Sequence, residues 1–202
     1  PTGQDGVVVD DFPESAKVRL RSRIRAARIV RSEDERITSA HALAALVLEL
    51  PEVMTAATVA LYMSMPTEPG TAPLLRALLD TDRRVLLPRV SGESLTWTSV
   101  TRETRFAPGA YGIDEPISDG HVSLSLADVI VVPALAVDLH GARLGQGGGF
   151  YDRALTQLNC RTIALVFDDE VIDVAAGPGV PTEPHDCRVD IIITPQRILR
   201  VS

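Results

Sequence analysis

The sequence predicts an α/β protein, an open, mostly parallel sheet flanked by helices. Three observations carry that prediction. Short apolar runs rich in Val, Ile and Leu recur from residue 58 onward, separated by loops or helices. Several of them, such as Val129-Ile130-Val131-Val132, are apolar throughout, the pattern of strands buried on both faces between helices. Polar motifs follow several runs, on the rim where open α/β sheets gather ligands.

Taken in order, residues 1–11 are polar and lack periodicity, so a flexible lead-in is expected. A helix should begin near Pro13, which a first turn tolerates, and run to about Val30. Lys17 and Arg21, four apart, then share one face. Ser32-Glu33-Asp34-Glu35 matches the S-x-x-E capping box and announces a second helix to about Leu50, stopped by Pro51. Ile37, Ala40, Leu43, Ala44, Val47 and Leu48 recur along it at helical spacing. Strands are expected at 58–63, 84–87, 95–99, 128–132, 162–167 and 189–194. A helix fits 71–79, with Thr71 as its cap and Pro73 in its first turn, and another fits 151–158. With no internal repeat or linker, residues 1–202 read as one domain, large enough to bury a core.

Hydrophobic residues make up 45% of the chain and aromatics only 4%, so the core must be mostly Val, Leu, Ile and Ala. No apolar stretch approaches the ~20 residues of a membrane helix, and the start does not read as a signal peptide. Cys160 and Cys187 lack CxxC or zinc-finger spacing and read as reduced thiols, so a cytoplasmic location is expected. A net charge of −7 argues against a nucleic-acid binder. Yet seven cations and no acid lie between Lys17 and Arg31, and Lys17 is the only lysine, the other nineteen cations being arginine. A solvated helix face is the plain explanation of the run; the solitary lysine invites another.

Residues 143–153, Arg-Leu-Gly-Gln-Gly-Gly-Gly-Phe-Tyr-Asp-Arg, carry most of the chemistry. A glycine loop feeding a helix start can turn several N–H groups toward a phosphate, with Arg143 and Arg153 adding charge; equally, it can serve only to turn the chain. Asp152 beside a phosphate would repel it unless a cation intervened, which points to Mg²⁺; it can also simply favour the helix dipole. His185-Asp186 could bring a second carboxylate or form a turn. Glu68 could meet a ring nitrogen of a ligand or face water. Met63 and Met65 are either core filler or a wall for a flat heterocycle. Tyr111 is either a lid or a staple. HExxH, GxSxG and Walker A sequences are absent, and Phe150 breaks G-x-G-x-x-G, which sets aside zinc proteases, α/β hydrolases, P-loop ATPases and a dinucleotide fingerprint.

Six blocks in fixed order closely resemble the 5-formyltetrahydrofolate cyclo-ligase family, over about residues 17–194. They are Lys17/Leu20/Arg21, Tyr62 to Glu68, Gly109 to Pro116, Val132 to Asp138, Arg143 to Arg153, and Pro184-His185-Asp186. The resemblance implies a three-layer, Rossmann-like fold akin to sugar-phosphate isomerase and CoA-transferase-like domains. It implies ATP-dependent conversion of 5-formyltetrahydrofolate to 5,10-methenyltetrahydrofolate with Mg²⁺, releasing ADP and phosphate. The formyl oxygen would attack the γ-phosphate, and N10 would then close the ring as phosphate leaves. Lys17 and Arg21 would hold the phosphates, together with the nucleotide loop Arg143, Leu144, Gly145, Gln146, Gly147, Gly148, Gly149, Phe150 and Tyr151. Met63 and Glu68 would contact the pterin side, with Gln146 to Phe150 shared between the two ligands. Asp152 and Asp186 would bind the metal. Small-molecule partners and a monomer are expected, without nucleic acid or membrane. Phe150 stands where Tyr is common, and Gly148 where some relatives carry lysine. The alternatives are a phosphometabolite sensor without catalysis, or a sugar-phosphate isomerase, on a similar scaffold.

Overall fold

The computed structural model describes residues 13–118, 120–156, 158–175 and 177–201; the lead-in expected at 1–11 lies outside them. The chain opens with α1 (Pro13–Ile29) and α2 (Glu33–Leu48). Ser32 caps α2 as expected, its hydroxyl accepting the Glu35 N–H at 3.2 Å. Ala40, Leu43, Ala44 and Val47 are buried, whereas Ile37 is exposed. Helix α2 ends ahead of Pro51, as expected, and Pro51 then starts a new turn, α3 (Pro51–Met54). Leu50 is extended, as a residue before proline prefers, and Pro51 then supplies a ready-made helical φ.

The strands β1 (Thr58–Leu61), β2 (Arg84–Ser91), β3 (Ser94–Val100), β6 (Val129–Pro133), β9 (Arg161–Leu165), β11 (Ile191–Ile193) and β12 (Ile198–Arg200) form one sheet. Their order is β12-β11-β9-β6-β1-β2-β3. The five central strands are parallel, and antiparallel β3 and β12 close the edges. The expected mostly parallel sheet is therefore present. The strand predicted at 84–87 runs on to Ser91, because it pairs with β3 after β1 has ended. Pro88 and Arg89 thus lie inside β2 rather than after it. Pro88 faces Trp97 of β3 beyond the last β1 partner, so its missing N–H costs no ladder bond on that side.

One core cluster packs α2, α3 and α4 (Ala72–Leu79) against one face of the sheet, around Leu43, Val47, Leu61, Leu74, Leu78, Val131 and Leu165. The other face buries Leu86, Trp97, Leu124, Ile130, Leu155 and Ile192. Thr71 precedes α4 but does not cap it with its side chain. Its hydroxyl instead donates to Tyr62 O at 2.9 Å and accepts the Ser64 N–H at 3.2 Å, tying the chain after β1 to the start of α4.

The short strands went unread. The stretch after β6, read as loop, holds β7 (Ala136–Asp138) and β8 (Arg143–Leu144), which with β10 (Val171–Ile172) make a small sheet, while β4 (Phe106–Pro108) pairs with β5 (Asp114–Pro116). Ile24 of α1 packs on this small sheet with Leu135, Ala136, Ala142 and Leu144, which seats α1 across the rim. The helix after the glycine loop is α5 (Phe150–Leu155), shorter than the expected 151–158. Its last turn closes on Thr156, whose N–H and hydroxyl both reach Asp152 O, and the chain must reach Arg161 to pair with Val129.

Candidate functional site

The chain reverses direction in the sheet at β1, which has β6 on one side and β2 on the other. A cleft of about 580 Å³ opens beyond the carboxyl ends of β1 and β6, at this switch point. Three layers of chain close it: α1 on one side, the glycine loop at its floor, and the β2–β3 ribbon with the 110–115 turn opposite.

From α1 come Lys17, Arg21 and Arg25, one helical turn apart and all lining the cleft. Lys17 is 4% exposed; its Nζ donates to Glu183 Oε2 at 2.6 Å and to Asp186 Oδ2 at 2.7 Å. Burial works against its charge, but hydrogen bonds and attraction from Asp186 and Glu183 outweigh it and hold the ammonium above its usual range. Burial likewise opposes ionisation of Asp186, but two hydrogen bonds that its Oδ2 accepts, from Lys17 Nζ and from the Glu183 N–H, each at 2.7 Å, overcome it and lower that carboxyl. Arg21 donates from Nε to Gly145 O at 3.1 Å, and also reaches Glu14.

The loop 143–152 follows β8 and enters α5. Gly147 has φ 105° and Gly149 φ 66°, left-handed positions that an L side chain adopts only with strain. Among the described residues, none accepts a hydrogen bond from the N–H of Gln146, Gly147, Gly148 or Gly149. Since α5 has only six residues, these loop N–H groups matter more here than its dipole. Arg143, 5% exposed, donates to Pro133 O at 3.1 Å and Asp152 Oδ1 at 2.6 Å. Its Nε is buried and without a hydrogen-bond partner among the described residues. Leu144 is buried beside it.

On the opposite wall, Glu68 is 5% exposed, not a carboxylate in water. Its Oε2 accepts the Met65 N–H at 2.9 Å, and its Oε1 accepts Gln146 Nε2 at 3.0 Å. Met63 and Met65 are half-buried beside it. Burial, and then the charge of Glu68, raise the Tyr151 phenol well above its ordinary range, so it stays protonated; its ring meets Trp97 edge-on at 6.4 Å. Phe150 meets Tyr111 edge-on at 6.1 Å. Tyr111 is 71% exposed with φ 60°, so it stands at the cleft mouth instead of stapling the turn to the core.

The ligand and metal residues implied by the resemblance all line this one cleft: Lys17 and Arg21, Met63 and Glu68, the run Arg143 to Tyr151, Asp152 and Asp186. Arg153, expected to add charge for a phosphate, is not in the lining and donates instead to Glu93 O and Gly148 O. Asp152 and Asp186 are linked through chain rather than side chain, as the Cys187 N–H donates to Asp152 Oδ1 at 3.2 Å. Potential donor atoms of Glu183, His185 and Asp186 lie within 4.8 Å of one another, a group that excludes Asp152. Sequence reasoning missed Arg25, Glu183, Tyr62 and Glu115. Arg25 could have been found by extending the Lys17–Arg21 stripe one turn, and Glu183 by its place three residues before Asp186; Tyr62 and Glu115 stand within the blocks Tyr62 to Glu68 and Gly109 to Pro116 but were given no role.

The model of the 5-formyltetrahydrofolate cyclo-ligase family matches residues 13–195. The chain is 39% identical over 149 residues to the 5-formyltetrahydrofolate cyclo-ligase of Mycolicibacterium smegmatis, spanning 69% of this chain and 74% of the relative. It is 30% identical over 156 residues to that of Escherichia coli K12, spanning 73% and 83%. Among solved structures, the Aquifex aeolicus 5,10-methenyltetrahydrofolate synthetase superposes with a TM-score of 0.81 at 30% identity, covering 92% of each chain. The Mycoplasma pneumoniae 5,10-methenyltetrahydrofolate synthetase shares the fold, with a TM-score of 0.67 at 22% identity over 88% of this chain and 97% of that one.

Proposed function

The chain belongs to the 5-formyltetrahydrofolate cyclo-ligase family, and from that premise we propose how its cleft carries out the family's reaction. The enzyme uses ATP to convert 5-formyltetrahydrofolate to 5,10-methenyltetrahydrofolate, leaving ADP and phosphate. The formyl oxygen attacks the γ-phosphorus and ADP departs. N10 then attacks the activated formyl carbon, gives up its proton, and phosphate leaves as the ring closes. Phosphoryl transfer asks the protein mainly for position and charge neutralisation.

The single observation behind this reading is a set of donors that lack acceptors. The buried Arg143 Nε and the N–H groups of residues 146–149 have no protein partner among the described residues, and they line the same cleft. A buried donor left unpaired, as Arg143 Nε is, costs about 1–3 kcal/mol, which a phosphate oxygen would relieve, and the loop N–H groups, half-buried or exposed, are free to turn to the same anion. Lys17 and Arg21 add charge from α1, while Gly145, Leu144 and Tyr151 shape the loop around the nucleotide. Glu68 and Met63 face the pterin side, and Phe150 offers a flat ring at the mouth. Tyr151, held protonated, is a donor and not a base.

Asp152 and Asp186 fit a magnesium ion. Both are hard oxygen donors, and each has one oxygen fixed in place: Oδ1 of Asp152 by Arg143 and the Cys187 N–H, Oδ2 of Asp186 by Lys17 and the Glu183 N–H. When bound, the ion supplies the positive charge that lets these carboxylates stand beside a polyphosphate. One chain supplies the whole cleft, which supports a monomer, and Cys160 and Cys187 are free thiols, which supports a reducing, cytoplasmic setting. Among the described residues no helix is long and apolar enough to cross a membrane.

The test mixes protein, Mg²⁺-ATP and 5-formyltetrahydrofolate and follows the absorbance of the methenyl product. Steady growth of that absorbance is expected; folded protein that yields none would overturn the reading in favour of a sensor.

A further inference from the structure

Arg25 is exposed on α1, yet its guanidinium makes three hydrogen bonds to a single residue of the glycine loop. Nε and Nη2 donate to Gln146 Oε1 at 3.2 and 2.9 Å, and Nη2 donates to Gln146 O at 2.9 Å. Two physical consequences follow. A guanidinium has donors only, so the Gln146 amide oxygen must face Arg25 and its NH₂ must face the other way. That NH₂ is the group donating to Glu68 Oε1 at 3.0 Å. Rotated end for end, the amide would set its oxygen against the carboxylate, and both would lose their bond.

The second consequence concerns the backbone. In a trans peptide the C=O and the next N–H point in opposite directions, and no described peptide bond is cis. Arg21 holds Gly145 O and Arg25 holds Gln146 O. The N–H groups of Gln146 and Gly147 are therefore turned away from α1, and they are two of the donors without a protein partner. Two arginines one helical turn apart thus fix two successive peptide planes.

We infer that Arg25 is a positioning residue that couples the two halves of the cleft, setting the phosphate-facing loop through Gln146 O and the pterin-facing Glu68 through the Gln146 amide. The inference rests on the functional reading above. It requires the planar, multi-donor fork and not charge alone: Nη2 bridges both Gln146 oxygens while Nε braces Oε1, and a lysine nitrogen ends one bond short of Nη2 with nothing in place of Nε.

The experiment measures calorimetric Kd values for 5-formyltetrahydrofolate and, separately, for Mg²⁺ with a non-hydrolysable ATP analogue. It uses the wild type, Arg25→Met, Arg25→Lys, Gln146→Ala and the Arg25→Met/Gln146→Ala double variant, with circular dichroism to confirm folding. Arg25→Met should weaken both ligands, each by roughly tenfold, as expected for a lost charge-assisted contact. Arg25→Lys should fail to restore folate binding, and on the Gln146→Ala background the Arg25 effect on folate should disappear. Weakening of the nucleotide alone, rescue by lysine, or full additivity in the double variant would each overturn the coupling. A wild type that binds both ligands while Arg25→Met matches it removes this inference only; a wild type that binds neither removes the functional reading and the coupling together.

Discussion

Lys17 and Asp186 stand 169 residues apart in the chain and 2.7 Å apart in the cleft. The contact joins the first helix to the loop before the last parallel strand, across the mouth of the ligand site. Replacing Lys17 with Met removes the ammonium but leaves Asp186, 12% exposed at its side chain, and Glu183 facing each other. Turnover should fall on the order of tenfold to a hundredfold, the equivalent of one or two charge-assisted contacts. Kinetics with each substrate varied in turn, alongside thermal melting, check this; unchanged turnover would remove Lys17 from the phosphate site.

The same pair makes a prediction about pH. Asp186 is lowered from an ordinary value of 3.8, so its contribution to stability is fully present above that value and is lost as pH falls through the folded value. Lys17 is raised from 10.5, so its contribution is fully present below 10.5 and is lost as pH rises through the folded value. The difference in melting temperature between wild type and Asp186→Asn should therefore hold steady between the two limits and shrink below pH 3.8. A difference that grows on acidification would contradict the ion pair.

Continuous chemistry was legible in the sequence, and contacts between distant segments were not. The Val129–Val132 run announces β6, and the glycines at 145–149 announce the loop, because each is a local pattern. Strands such as β8, with two residues, are too short for any period to show. Nor does any pattern reveal that Pro88 lies within β2, since that depends on where β1 ends and β3 continues. In the site, Glu183 was missed because its partner is Lys17, at the other end of the chain. For Glu68 the residues alone leave a ligand and water both open; only the fold brings Gln146 to it.

A second ion pair lies outside the cleft and predicts stability rather than catalysis. Arg28, 1% exposed, donates from Nε to Glu170 Oε1 at 2.7 Å and from Nη2 to Oε2 at 2.8 Å, and also to Ala134 O at 2.6 Å. Burial drives the Glu170 carboxyl upward, with Arg28 pulling it back. Replacing Arg28 with Met leaves a buried acid without its counter-charge and should cost about 3–5 kcal/mol. At ~2–4 °C per kcal/mol for a chain of this size, the melting temperature should fall by roughly 6–20 °C. Arg28→Met/Glu170→Met should recover much of that loss, because an apolar pair needs no counter-charge. Equal losses in the single and double variants would show that the charge pairing is not what matters.

The glycine loop separates strain from ligand shape. A Cβ on Gly148 would sit 2.8 Å from the Phe150 ring, at a residue whose φ is not left-handed. Gly148→Ala should therefore displace the ring while leaving the backbone unstrained, weakening 5-formyltetrahydrofolate with little change in melting temperature. Gly149→Ala meets φ 66° instead and should cost about 1 kcal/mol of stability. Titrating folate into both variants and melting both distinguishes the two effects. If Gly148→Ala binds folate like the wild type, Phe150 does not touch it.

The metal assignment predicts a shift in magnesium requirement rather than simple loss of activity. Asp152→Asn keeps an oxygen able to accept the Arg143 and Cys187 donors, so the local chain should hold its place. It removes the negative charge that a divalent ion would neutralise, and with it one of the two carboxylates such an ion prefers. Activity titrated against Mg²⁺ at saturating ATP should reach half its maximum at a concentration on the order of tenfold higher than in the wild type, the loss expected for one charged contact. Asp186→Asn should shift the requirement too, but it leaves Lys17 with Glu183, whereas Asp152→Asn takes the carboxylate from the buried Arg143, so the melting temperature should fall further for Asp152→Asn. An unchanged magnesium curve for Asp152→Asn would mean that this aspartate serves only to hold Arg143, and that the ion sits with Glu183 and Asp186.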